Sequence, residues 1–259
     1  MKIFLDTANL DEIQEASDCG LLDGITTNPT LAAREGRPFR ELILKACEIV
    51  KDGIVNAEVV STDTERMLRE GRELASWHSN IVVKVPMTPA GVRALHVLHG
   101  EGIRINVTLV FSAAQALLAA KAGAYFVSPF LGRLDDTAQE GLHVLSEIMD
   151  IYRAYQFPTQ VLAASLRGPL HVVAAARMGV HIGTMPFKVF EQLFKHPLTD
   201  VGLASFLKDW QKARKVLGDI ITTGRAHRWT VRFAKIAWQT EDVVASRILP
   251  TVGEPHGEK

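Results

Sequence analysis

Short apolar, β-branched runs recur along the chain, separated by stretches whose apolar residues return every three or four positions. The runs predict strands at 2–6 (KIFLD), 24–28 (GITTN), 55–60 (VNAEVV), 81–86 (IVVKVP), 104–110 (RINVTLV), 125–130 (YFVSPF), 160–165 (QVLAAS) and 180–185 (VHIGTM). Several are apolar on both faces, as expected where helices cover one side of a sheet and a barrel core fills the other. Between them, Ala90 to Leu98 sets Val92, Leu95 and Leu98 on one side of a helix, and Ser112 to Ala122 is rich in Ala and Leu. Alternating strands and helices argue for a parallel sheet. Eight such units predict closure into a single (β/α)8 TIM barrel, and 259 residues suit one. An open doubly wound sheet is the alternative, but no glycine-rich dinucleotide loop follows the first strand.

Composition narrows the functional classes. With 47% hydrophobic and 22% charged residues the chain can bury a sizeable core. A formal net charge of zero gives no global electrostatic case for binding nucleic acid or an acidic membrane. Cys19 and Cys47 form neither a disulfide framework nor a metal-type pair. The N-terminus turns polar too soon for a signal peptide, and no apolar run reaches the roughly 18 residues of a membrane span. A soluble, cytoplasmic protein is the expectation. The one composition shift, near Gly218, divides a barrel over 1–218 from an extension over 219–259. That extension is expected to be partly helical, around Trp229, Phe233 and Ile236, or disordered, and its last residues from Gly253 read as a loose tail.

In an α/β barrel the C-terminal strand ends carry the chemistry. Asp6 ends the first predicted strand, Thr26 and Asn28 the second, and Glu58 lies in the third. Lys84 lies in the fourth, Asn106 and Thr108 in the fifth, and Ser128 in the sixth with Arg133 just beyond. Ser165 and Arg167 follow the seventh. A single polar group of this kind is ordinarily a satisfied buried hydrogen bond. Seven strands contributing to one mouth is hard to explain by stability, because each buried group costs about 1–3 kcal/mol unless paired.

Lys84 is the sharpest case, placed mid-strand in Ile81-Val82-Val83-Lys84-Val85-Pro86. A buried amine is costly unless neutralised or paired. Desolvation favours the neutral amine, which can attack a carbonyl. The alternative is a lysine paired with Asp6 or Glu58 that merely fixes the core.

Six segments carry a family resemblance. They are Phe4-Leu5-Asp6-Thr7-Ala8, Gly24-Ile25-Thr26-Thr27-Asn28-Pro29-Thr30, Val83-Lys84-Val85-Pro86-Met87-Thr88, Asn106-Val107-Thr108-Leu109-Val110-Phe111-Ser112, Val127-Ser128-Pro129-Phe130-Leu131-Gly132-Arg133 and Ala163-Ala164-Ser165-Leu166-Arg167. Together, in this order and over residues 1 to about 218, they resemble the transaldolase family, in particular its short branch, which also holds the fructose-6-phosphate aldolases. The resemblance implies a class I aldolase barrel that acts on phosphorylated sugars without metal or cofactor. It implies a Schiff base at Lys84 and an acid/base role for Asp6. It implies that Glu58 and Thr108 position a catalytic water, and that Asn28 and Asn106 hold a dihydroxyacetone unit. Thr26, Ser128 and Phe130 join the substrate-binding residues, and Arg133, Ser165 and Arg167 fall on an acceptor-phosphate site. Planar guanidinium groups suit phosphate.

The same resemblance separates two activities. The aldolase branch carries glutamine and tyrosine where this chain has Glu58 and Phe130, the transaldolase choices. Phenylalanine cannot donate a proton to the bound enamine, whereas a tyrosine hydroxyl can help a water do so. Transfer of the three-carbon unit is therefore expected over its release as free dihydroxyacetone, with sedoheptulose 7-phosphate or fructose 6-phosphate as donor in the pentose phosphate pathway. A non-catalytic barrel that only binds sugar phosphate is the alternative from another class. His96 and His99 share a predicted helix, but no carboxylate or cysteine joins them as a metal set. The resemblance also implies a homo-oligomer, a pentamer or decamer, reached through the last helix, which holds Lys208, Trp210 and Lys212.

Overall fold

The computed structural model describes residues 1–217. Eight strands close into a barrel in sequence order: β1 (Lys2–Asp6), β2 (Gly24–Thr26), β3 (Ile54–Glu58), β4 (Ile81–Pro86), β5 (Ile105–Val110), β6 (Phe126–Pro129), β7 (Gln160–Ala163) and β8 (Ile182–Met185). Each pairs in parallel with the next, and β8 returns to β1. The eleven helices described are α1 (Leu10–Asp18), α2 (Pro29–Arg34), α3 (Phe39–Val50), α4 (Thr64–Trp77), α5 (Pro89–Gly100), α6 (Ala113–Lys121), α7 (Leu131–Asp135), α8 (Gly141–Ala154), α9 (Pro169–Arg177), α10 (Phe187–Gln192) and α11 (Pro197–Leu217). The predicted barrel is present. The predicted second strand overran by two residues: Asn28 caps α2 instead, with Pro29 at the first helical position, where a missing N–H does no harm.

Period-two alternation divides every strand between two environments. Outward side chains such as Leu5, Ile25, Val83, Val85, Val107, Val127 and Val161 pack under the helices in one continuous core. Inward side chains Phe4, Ile54, Val82, Phe126, Leu162 and Ile182 form a second cluster that plugs the barrel. Each such fully buried aliphatic or aromatic side chain contributes about 1.5–3 kcal/mol relative to exposure. The next inward positions toward the C-terminal ends are polar, and the sites of interest sit there.

Local signals fix the helix starts just beyond the strands. Thr88 caps α5 on the amide of Gly91, and Ser112 caps α6 on that of Gln115. A bulge in β5 between Val107 and Val110 puts Leu109 at φ +59°, a strained angle for a branched side chain, directly after Thr108. The described residues fall into two compact units, 1–195 and a second beginning at His196 whose described part is α11. The expected boundary at 218 and the expected helix and tail of 219–259 lie outside the described residues. No helix among the described residues is long and apolar enough to cross a membrane.

Candidate active site

β3, β4 and β5 bring three inward side chains side by side, since Glu58 is in register with Lys84 and Lys84 with Asn106. Lys84 is 4% exposed. Its Nζ donates to the Thr27 carbonyl at 2.7 Å and lies 2.9 Å from Glu58 Oε2. The amine is therefore both buried and paired. Pairing with a carboxylate offsets part of its desolvation, and removing either partner of such a pair costs about 3–5 kcal/mol.

Across the mouth, Asp6 at the end of β1 accepts from Thr26 Oγ1 at 2.9 Å. Burial pushes the Asp6 carboxyl above its ordinary value, and the Lys84 charge and the Thr26 hydrogen bond pull it part of the way back. A carboxyl held in that balance can take and return a proton near a reacting hydroxyl.

Beside Lys84 a hydrogen-bonded chain runs from Ser128 through two buried amides. Ser128 Oγ donates to Asn106 Oδ1 at 2.7 Å, Asn106 Nδ2 to Asn56 Oδ1 at 2.9 Å, and Asn56 Nδ2 to the Ile25 carbonyl at 3.0 Å. The last acceptor is a backbone oxygen and cannot donate, so it fixes which way both amides face. Asn56 and Asn106 are 0% exposed. Thr108 Oγ1 is a buried side-chain oxygen without a hydrogen-bond partner among the described residues, an arrangement that native structures rarely leave unexplained.

The sequence-predicted residues thus fall into four groups. Asp6, Thr26, Glu58, Lys84, Asn106, Thr108 and Ser128 share the barrel interior at its C-terminal end. Phe130 packs half-buried against the inner cluster and meets Phe111 edge-on at 5.8 Å between ring centres. Asn28 stands at the rim, its side-chain oxygen accepting from the Leu31 amide.

The phosphate candidates are not drawn together by hydrogen bonds. Arg167 is paired with Asp136 at 2.5 Å and reaches the Gly132 carbonyl at 3.3 Å, on one side of α7. Arg133 is exposed and lines a cavity of about 430 Å³ with Phe111, Ser112, Gln115 and Leu134 on another side of α7. Ser165 is half-buried at φ +58°, with its carbonyl accepting from the Gly132 amide at 3.0 Å. No group of three or more His, Cys, Asp and Glu side chains among the described residues could hold a metal ion.

Sequence reasoning missed two buried members. Asn56 lies two residues before Glu58 and therefore on the same face of β3. Thr184 on β8 is 1% exposed, with Oγ1 2.8 Å from Thr26 Oγ1. Counting back from Glu58 along β3 would have found Asn56, whereas β8 carried no predicted site residue from which to reach Thr184.

The family model for transaldolase/fructose-6-phosphate aldolase matches residues 3–242. The chain belongs to this family. The match runs past residue 218, where the motif resemblance ended. A probable transaldolase of Aquifex aeolicus is 58% identical over 212 residues, 82% of this chain and 97% of the relative. A probable transaldolase of Caldicellulosiruptor saccharolyticus is 55% identical over 216 residues, 83% and 99% of the two chains. This transaldolase-family chain is an enzyme of transaldolase type. Among solved structures it is similar to a mandelate oxidase variant with a monooxide FMN adduct, with a TM-score of 0.52 at 13% identity over 73% of this chain and 65% of that one. At that identity the likeness concerns the fold alone.

Proposed function

We propose that the enzyme transfers a dihydroxyacetone unit between sugar phosphates through a Schiff base at Lys84. The observation that carries this reading is the buried Lys84 amine, 2.9 Å from Glu58, in a mouth shared with Asp6. Lys84 attacks the ketose C2 carbonyl after passing a proton to Glu58, and water leaves as the iminium forms. The iminium draws electrons from the C3–C4 bond, which breaks as Asp6 takes the C4 hydroxyl proton. An aldose phosphate departs, and the three-carbon enamine waits on Lys84 for the next aldehyde.

The remaining roles follow the same reading. Glu58 and Thr108 hold the water that carries protons to and from Lys84, a role supported by the unpaired buried hydroxyl of Thr108. Asn28 and Asn106 bind the donor hydroxyls, with Thr26 and Ser128 holding the surrounding groups. Arg133, Ser165 and Arg167 bind the acceptor phosphate, for which Arg167 exchanges Asp136. Phe130 denies the enamine a proton donor, which favours transfer over release. The donor is sedoheptulose 7-phosphate or fructose 6-phosphate, the acceptor glyceraldehyde 3-phosphate or erythrose 4-phosphate, in the pentose phosphate pathway. The motif resemblance supports a homo-oligomer of five or ten barrels.

Coupled assays of fructose 6-phosphate cleavage with and without erythrose 4-phosphate test the reading. Cleavage that depends on the acceptor is expected. Equal turnover without acceptor identifies a fructose-6-phosphate aldolase instead.

A further inference from the structure

Thr184 is the polar residue that β8 contributes to the barrel interior, and the chemistry described above leaves it without a role. Strands β2 and β8 flank β1 on its two sides. From β8, Thr184 Oγ1 lies 2.8 Å from Thr26 Oγ1, and Thr26 Oγ1 lies 2.9 Å from Asp6 Oδ1. A hydroxyl carries one proton, and an ionised carboxylate only accepts. The Thr26 proton therefore goes to Asp6. The Thr26 oxygen can then only accept from its other neighbour, so Thr184 must be the donor of the 2.8 Å contact.

We propose that Thr184 is a positioning residue for Asp6: it aims the Thr26 hydroxyl at the carboxylate and, through that relay, favours the ionised form that proton transfer requires. The proposal rests on the assignment of Asp6 as the acid/base group. Hydrogen bonds in series polarise one another by about 10–30% per link in a dry interior, so the distal hydroxyl is felt at the carboxylate. The charged groups facing Asp6 are Lys84 on β4 and, paired with it, Glu58 on β3. Neither β2 (GIT) nor β8 (IGTM) carries a titratable side chain, so the hydroxyl relay is what these two strands present to Asp6. Removing the relay's far end weakens the stabilisation of the charged carboxylate and leaves burial less opposed.

Thr184→Val keeps the shape and removes the hydroxyl; Thr184→Ser keeps the hydroxyl. The full chain, labelled with carboxyl-¹³C aspartate and assigned with Asp6→Asn, reports the Asp6 titration by NMR without any need for activity. The kcat/KM pH profile reports the same group through catalysis. Thr184→Val is expected to raise the Asp6 titration by about half a pH unit, with the acid limb of kcat/KM moving by the same amount. Thr184→Ser is expected to restore both. A purely structural role would lower stability and leave the titration where it was. An unmoved Asp6 titration in folded Thr184→Val overturns the proposal. A moved titration with an unmoved kinetic limb upholds the relay and overturns the assignment of Asp6 as the acid/base group. Should valine not fold at this position, Thr184→Ala removes the same hydroxyl and carries the comparison.

Discussion

Lys84 Nζ lies 2.9 Å from Glu58 Oε2, with both side chains held inside the mouth of the barrel by the register of β3 on β4. The pair gives the amine a proton acceptor at hydrogen-bond distance. It also makes each partner depend on the other for its burial.

Glu58→Gln keeps the shape and a hydrogen bond but removes the proton acceptor. The proposed role predicts a fall in kcat of about 10²–10⁴, the usual worth of a positioned acid or base. Steady-state kinetics with fructose 6-phosphate and erythrose 4-phosphate measure it. A loss of less than threefold would leave Glu58 as a structural counter-ion.

Asp6 makes a prediction about stability. Its folded carboxyl titrates above the ordinary value because burial outweighs the pull of Lys84 and Thr26. The folded state therefore binds this proton more tightly than the unfolded chain, and stability falls as pH rises from the unfolded value through the folded one. Asp6→Asn is uncharged throughout and is expected to raise Tm at pH 7 while abolishing turnover. Below the ordinary aspartate value the gain should vanish. Calorimetry at the two pH values checks the sign, and a lower Tm at pH 7 contradicts it.

Phe130→Tyr places a hydroxyl beside the proposed enamine. An increase in free dihydroxyacetone relative to transferred product is expected, measured by acceptor-free cleavage of fructose 6-phosphate. An unchanged partition argues against the proton-donor account of this position.

Asn56→Ala cuts the amide chain that orients Asn106. It leaves the Asn106 amide one partner short in a dry interior, so a stability loss of about 1–3 kcal/mol is expected. A fall of roughly tenfold in kcat/KM should accompany it, because a change of about 1.4 kcal/mol in donor positioning is a factor of ten. Denaturant melts and kinetics separate the two. Full activity in a destabilised protein would make Asn56 structural alone.

Much of this arrangement is legible in the amino-acid sequence. Asp6 ends an apolar strand and Lys84 interrupts another, and period-two alternation says which neighbours share their face. Asn56 and Thr184 escaped because a small polar side chain inside an apolar run looks like tolerated polarity until its partners are known. The role of Asn28 as a cap was readable from Asn28-Pro29, yet the run of Gly24 to Thr27 drew the strand past it. The positions of Arg133 and Arg167 about α7 were not readable, because a five-residue helix shows too little periodicity to predict. Neither was the pairing of Arg167 with Asp136, which joins residues 31 apart.

Borohydride trapping tests the central claim most directly. Incubation of the full-length enzyme with fructose 6-phosphate and borohydride, followed by peptide mass spectrometry, should find Lys84 carrying a reduced three-carbon adduct or the reduced ketose itself. Activity should be lost in proportion, and Lys84→Met should trap nothing. Full activity in Lys84→Met, or a trapped adduct on a different lysine, would contradict the account.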